Sequence, residues 1–207
     1  MIKIIDYGMG NLRSVQKSFE KVGYQAEITN KKEEILNADG VVLPGVGAFK
    51  DAMENIQKLD LIDTIHQVVK EGKPFLGICL GFQLLFSEST EFGYTKGLDI
   101  ISGSVKKFPD NLGLKIPHMG WNQLNLKQDN QIYDGLTDGE FQYFVHSYYV
   151  ETEDKDVIGA TTDYGIEFVS SIVKDNVYGA QFHPEKSSDK GLQVLKNFGK
   201  IVEMEEE

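Results

Sequence analysis

The chain is poor in cysteine, in tryptophan and in positive charge. Among its 207 residues there is one cysteine and one tryptophan, and 21 lysines and arginines stand against 32 aspartates and glutamates. One cysteine cannot close an internal disulfide, so the framework does not depend on oxidation. A net charge of −11 argues against a nucleic-acid partner, because phosphate recognition needs a basic face. No apolar run approaches the length of a membrane span, and the opening "MIKII" is too short for the apolar core of a signal peptide. The expectation is a soluble, cytoplasmic protein, with residues 1–207 forming one domain.

What is present alternates. "IKII" at 2–5, "AEIT" at 26–29, "GVVLPG" at 40–45 and "PFLGI" at 74–78 read as strands. Between them Leu12, Val15, Phe19 and Val22 recur at helical spacing behind Asn11, a suitable N-cap, and a long helical region carries Ile62, Ile65, Val68 and Val69. "LGFQLLFSES" after the fourth strand reads as a helix. This βαβα order predicts an α/β fold, with a parallel sheet covered by helices on both faces. From about residue 100 the pattern turns strand-rich: "GSVKKF", "WNQLNL", "FQYFVHSYYV", "VIGATT", "FVSSIVK" and "VYGAQF" predict an antiparallel extension. "DKGLQVLKNFGKIV" then predicts a closing amphipathic helix, followed by a charged tail, "EMEEE".

The lone cysteine lies in "GICLGFQ" at 77–83, where the fourth strand gives way to a helix. Glycine two residues to either side of Cys79 has the form of a nucleophile elbow. The turn strains the nucleophile's backbone, and small flanking residues relieve the crowding. The plain alternative is a buried structural cysteine, and the choice depends on whether the chain supplies a base. Of four histidines, His66 falls in a helix as a surface or satisfied position, and "QFHPEKS" at 181–187 is the most informative setting. In extended chain, His183 and Glu185 point to one side, so Glu185 can orient the imidazole toward Cys79. "PGVGAF" at 44–49 ends another strand, and its glycines permit an inward-turned N–H as a second oxyanion donor beside the amide of Leu80. "DYGMGN" lacks the third glycine of a dinucleotide fingerprint, since Arg13 holds that place, and nicotinamide binding is rejected. No cofactor is expected, and one cysteine with scattered histidines makes no zinc site.

In this order, "PGVGAF", "GICLGFQLLF" and "QFHPEKS" resemble the oxyanion strand, nucleophile elbow and His-x-Glu segment of the class I glutamine amidotransferases, over nearly the whole chain. Within that family, "DYGMGNLRSV", "PHMGWN" and "FVHSYY" are similar to glutaminase subunits serving imidazole glycerol phosphate synthesis in histidine biosynthesis. The resemblance implies a flavodoxin-like three-layer sandwich and hydrolysis of L-glutamine by a triad of Cys79, His183 and Glu185. It implies an oxyanion hole at Val46, Gly47 and Leu80, and a glutamine pocket of Gly45, Gly47, Gln83, Glu91, Tyr143, His146 and Ser147. It also implies a heterodimer with a cyclase subunit, a (β/α)8 barrel that receives the ammonia. Asn11, Pro117, His118, Met119, Trp121, Asn122 and Lys186 would face that partner. Phe82 departs from the family's usual methionine in the elbow helix. Three alternatives stay open: a glutaminase subunit supplying another acceptor, such as one for sugar amidation; a cysteine hydrolase of similar fold; and a non-enzymatic binding subunit.

Overall fold

Each of the four expected opening runs forms a strand: β1 (Ile2–Ile5), β2 (Ala26–Thr29), β3 (Gly40–Gly45) and β4 (Phe75–Cys79). The computed structural model describes residues 1–204. Between the strands run α1 (Leu12–Lys21), α2 (Lys32–Leu36), α3 (Phe49–Lys58) and α4 (Ile62–Lys70). The long helical region expected after β3 is two helices, because the chain turns at Asp60, whose φ is +55°. Asn11 precedes α1, but its side chain accepts from the Ser14 hydroxyl at 2.8 Å rather than from a backbone N–H.

The elbow helix is also shorter than expected. Helix α5 covers only Leu80–Leu84, and the rest of "LGFQLLFSES" becomes β5 (Phe86–Ser89). The chain continues through β6 (Thr95–Lys96), β7 (Ile101–Lys107), β8 (His118–Gln123) and β9 (Asn125–Leu126). After these come β10 (Phe141–His146), β11 (Tyr148–Glu151), β12 (Ile158–Asp163), β13 (Glu167–Lys174) and β14 (Val177–Ala180). Helix α6 (Ser188–Met204) takes in the first two residues of the expected tail, and the last three lie outside the described residues.

The main sheet runs β2-β1-β3-β4-β14-β13-β11-β7-β5-β6, with β12 on β13 and β9 on β12. From β2 to β14 every pairing is parallel, and β14 is reached from β13 by a tight hairpin turn at Asp175 and Asn176. Beyond it the pairing is antiparallel, apart from β5 on β7. β8 and β10 form a separate antiparallel ribbon. The single strand expected over "FQYFVHSYYV" is therefore two strands in two sheets, with the break at Ser147.

Burial on both faces explains why the parallel strands read as unbroken apolar runs. Val41, Leu43 and Phe75 point into a core shared with Phe49, Ile56 and Ile65 of α3 and α4. Val42, Leu76 and Ile78 point the other way, onto Val15, Phe19, Leu195 and Phe198 of α1 and α6. These two layers fix the carboxyl ends of β1, β3, β4 and β14 side by side. No helix among the described residues is long and apolar enough to cross a membrane.

Candidate active site

Cys79 is the last residue of β4 and the residue from which α5 starts, with φ 54° and ψ −106°. A non-glycine residue held there costs about 1–3 kcal/mol, so the surroundings must enforce it. They do so by close packing. A Cβ on Gly81 would lie 1.7 Å from the Leu43 carbonyl oxygen, and one on Gly77 would lie 2.9 Å from the carbonyl oxygen of Gly81. Both glycines serve by leaving room, since neither has a positive φ. Phe82, the departure in the elbow helix, is fully buried and meets Phe86 edge-on at 5.4 Å. Gly179 on β14 makes space for its ring, because a Cβ there would come within 2.3 Å of it.

β14 ends at Ala180, and His183 follows in extended conformation. Glu185 does not lie in extended chain, as the sequence suggested, but in a single 3-10 turn over Pro184–Lys186. The turn still returns its carboxylate to the ring: His183 Nδ1 bonds Glu185 Oε1 at 2.8 Å, and both side chains are almost fully buried. Burial opposes the charged imidazole, but contacts with Cys79 and Glu185 outweigh it and raise the His183 pKa to about 10. Ser187 locks the turn, donating its hydroxyl to the His183 carbonyl at 2.6 Å and accepting from the Tyr143 N–H at 2.9 Å. His183 Nε2 is buried without a formed hydrogen bond and lines the same cavity as Cys79. Such contacts are often loose before substrate binds.

That cavity, about 540 Å³, brings together Val46, Gly47, Cys79, Leu80, Gln83, Glu91, Pro117, His146, Ser147 and His183 from the residues singled out in the sequence. Gly47 has φ +102°, and a side chain there would also strike Met9. Glu91 is held by the N–H of Phe49 at the start of α3, at 2.7 Å, and burial together with nearby Asp51 raises its pKa against the lowering effect of that bond. Gly45, at the end of β3, is not in the lining; it pairs with Cys79 on β4. Grooves of about 590 and 750 Å³ elsewhere on the surface contain neither Cys79 nor a histidine.

Other singled-out residues stand apart from the cavity. Tyr143 is not in its lining; its ring packs edge-on against Trp121 at 6.1 Å. Met119 and Trp121 are exposed on the ribbon, as are Asn11 ahead of α1 and Lys186 in the 3-10 turn. His118 is buried instead, stacked between Tyr164 and Phe144. Its Nδ1 meets His146 Nε2 at 3.0 Å, and its Nε2 meets Asn122 Nδ2 at 3.2 Å. Burial lowers the pKa of His118 to about 4 and that of His146 to about 3, so the pair is neutral at pH 7.

Sequence reading missed Phe92, Lys107, Val145 and Tyr148, which also line the cavity. It also missed the side chain of Gln181, although "QFHPEKS" contains it. The alternation of β10 and the break at Ser147 carry Val145 and Tyr148 there, and nothing local in the sequence marks that break. Among the described residues, no three histidine, cysteine, aspartate or glutamate side chains gather as a metal site would require.

The model of the family described as "Glutamine amidotransferase class-I" matches residues 3–202. A protein of Syntrophotalea carbinolica named imidazole glycerol phosphate synthase subunit HisH is 55% identical, covering 96% of this chain and 99% of its own. One of the same name from Aquifex aeolicus is 54% identical, covering 97% and 96%. Among solved structures, PurLQS from Thermotoga maritima superimposes with a TM-score of 0.75 at 16% identity, covering 97% of this chain and 98% of that one. The glutaminase domain of Trypanosoma brucei CTPS with bound acivicin gives 0.71 at 17% identity, covering 98% and 93%. These two likenesses speak for the fold alone. With a strained cysteine facing a carboxylate-held histidine across one cavity, and with a family model spanning nearly its full length, the chain belongs to the class I glutamine amidotransferases.

Proposed function

We propose that this protein is the glutaminase subunit of an imidazole glycerol phosphate synthase in histidine biosynthesis, with Cys79, His183 and Glu185 as its catalytic triad. The observation that carries the reading is the convergence of Cys79 and the Glu185-held imidazole on one cavity. The relatives named as subunits of that synthase supply the pathway. In this reading His183 takes the thiol proton, as its raised pKa favours, and the Cys79 sulfur attacks the carboxamide carbon of L-glutamine. The oxyanion forms beside the backbone amides of Leu80 and of the Val46–Gly47 segment. His183 then protonates the leaving nitrogen, ammonia departs, and water activated by the same imidazole cleaves the thioester to glutamate. Glu91 is the carboxylate in the cavity wall suited to the substrate's α-ammonium group.

Ammonia freed into water is mostly protonated near neutral pH and is then no nucleophile, so its acceptor must be docked nearby. Met119, Trp121 and Phe141 are 62%, 52% and 51% exposed on the β8–β10 ribbon. That apolar face suits the cyclase subunit, a (β/α)8 barrel. The ribbon is bonded directly to the triad turn, because the His183 N–H donates to the Tyr143 carbonyl at 2.9 Å. Docking on the ribbon can thus be felt at His183, and glutamine hydrolysis should await the partner. Glutamate release by the chain alone, compared with release in the presence of the cyclase and its nucleotide ligand, tests this. A rise of at least tenfold is expected, and equal rates would contradict the reading.

A further inference from the structure

Gln181 is fully buried and is the first residue after β14 to turn its side chain toward the elbow. Its carboxamide touches two groups: Gln83 Nε2 lies 2.9 Å from Gln181 Oε1, and Gln181 Nε2 lies 3.9 Å from Cys79 Sγ. The polarity of this contact is forced from outside the site. Gln83 also faces the carbonyl oxygen of Tyr148 at 2.9 Å. A backbone carbonyl can only accept, so the Gln83 atom facing it is the amide nitrogen. That nitrogen has two hydrogens, and the second points at Gln181. The Gln181 atom receiving it must be an acceptor, which leaves the Gln181 nitrogen facing the sulfur.

From this chain of donors we infer that Gln181 is a further catalytic residue, a hydrogen-bond donor to the Cys79 sulfur, and that Gln83 is the positioning residue that sets its direction. A buried N–H aimed at sulfur stabilises the anion that attacks more than the neutral thiol. It works from the β14 side, while His183 takes the proton. The anchor at Tyr148 is itself fixed, because the same carbonyl meets His146 Nδ1 at 2.8 Å. Both Gln83 hydrogens are committed in this arrangement, so Gln83 can meet a substrate only through its oxygen, as an acceptor.

The inference rests on Cys79 being the nucleophile but not on glutamine being the substrate, and the test separates the two. Cys79 is the only cysteine, so alkylation of the full chain by iodoacetamide reads that one sulfur. Gln181→Met keeps the length and removes the donor; Gln181→Glu keeps the acceptor for Gln83 and places a carboxylate by the sulfur. At pH 7.5 alkylation should slow roughly tenfold to hundredfold in Gln181→Met, the rate equivalent of one hydrogen bond to a charged group, and further in Gln181→Glu. Wild-type rates in both variants would overturn the inference. Should either variant fail to fold, the wild-type protein decides by NMR. The Gln181 side-chain amide proton should move downfield over the pH range in which alkylation accelerates, and should not move in Cys79→Ser. A resonance that stays fixed in the wild type would overturn it equally.

Discussion

The two halves of the sheet use their backbones differently. From β2 to β14 the strands are parallel, short and covered on both faces, and what matters is where they stop: β3 at Gly45, β4 at Cys79, β14 at Ala180. The antiparallel half and its β8–β10 ribbon do not carry Cys79 or His183, but they hold the His183 turn through Tyr143 and shape the cavity through Val145, His146 and Tyr148. Rigid strand ends suit a cysteine that must stay strained. A two-stranded ribbon with an exposed apolar face suits a surface that must respond to a partner.

Breaking the parallel half should have the larger effects. Glu185→Gln leaves the imidazole without its charged partner and should lower glutaminase kcat roughly 10²- to 10⁴-fold with the fold intact, measured by glutamate release in the assembled complex. Gly81→Ala should destabilise the chain by about 1–3 kcal/mol in urea unfolding, because its Cβ would overlap the Leu43 carbonyl. On the ribbon, Trp121→Ala should leave the urea midpoint nearly unchanged and weaken partner affinity roughly tenfold or more, measured by calorimetric titration with the cyclase.

The halves should also titrate on opposite sides of neutrality. His183 is raised from 6.5 to about 10, so its contribution to stability is fully present below pH 6.5 and is lost as pH rises toward 10. His118 and His146 are lowered from 6.5 to about 4 and 3, so theirs is present above pH 6.5 and lost as pH falls through those values. Urea midpoints followed from pH 3 to 10 should show both limbs; His118→Asn should flatten the acid limb and Glu185→Gln the alkaline one. The smallest effect belongs to the surface pair of Lys106 and Glu151, where Lys106→Ala should cost well under about 1 kcal/mol.

The sequence was legible where function depends on strand ends. Glycines around Cys79, "PGVG" and "HPE" each mark a terminus, and each is short enough to be read locally. It was less legible where a side chain's place depends on which sheet a strand joins. "FQYFVHSYYV" has the composition of one strand, and only the separate pairings of β10 with β8 and of β11 with β7 break it at Ser147. His118 reads as part of an exposed segment, but strand alternation places it opposite in burial to Met119. The same limit hid Gln181, whose meaning comes from Gln83 and Tyr148, far away in sequence.

The most direct measurement compares two nitrogen sources in the complex of this chain with the cyclase, using Cys79→Ala. Turnover driven by glutamine should disappear, and turnover driven by added ammonium should continue at the wild-type rate, because the proposed acceptor site is on the other subunit. Glutamine-driven turnover that persisted in the variant would mean that another group is the nucleophile, and the account would fail.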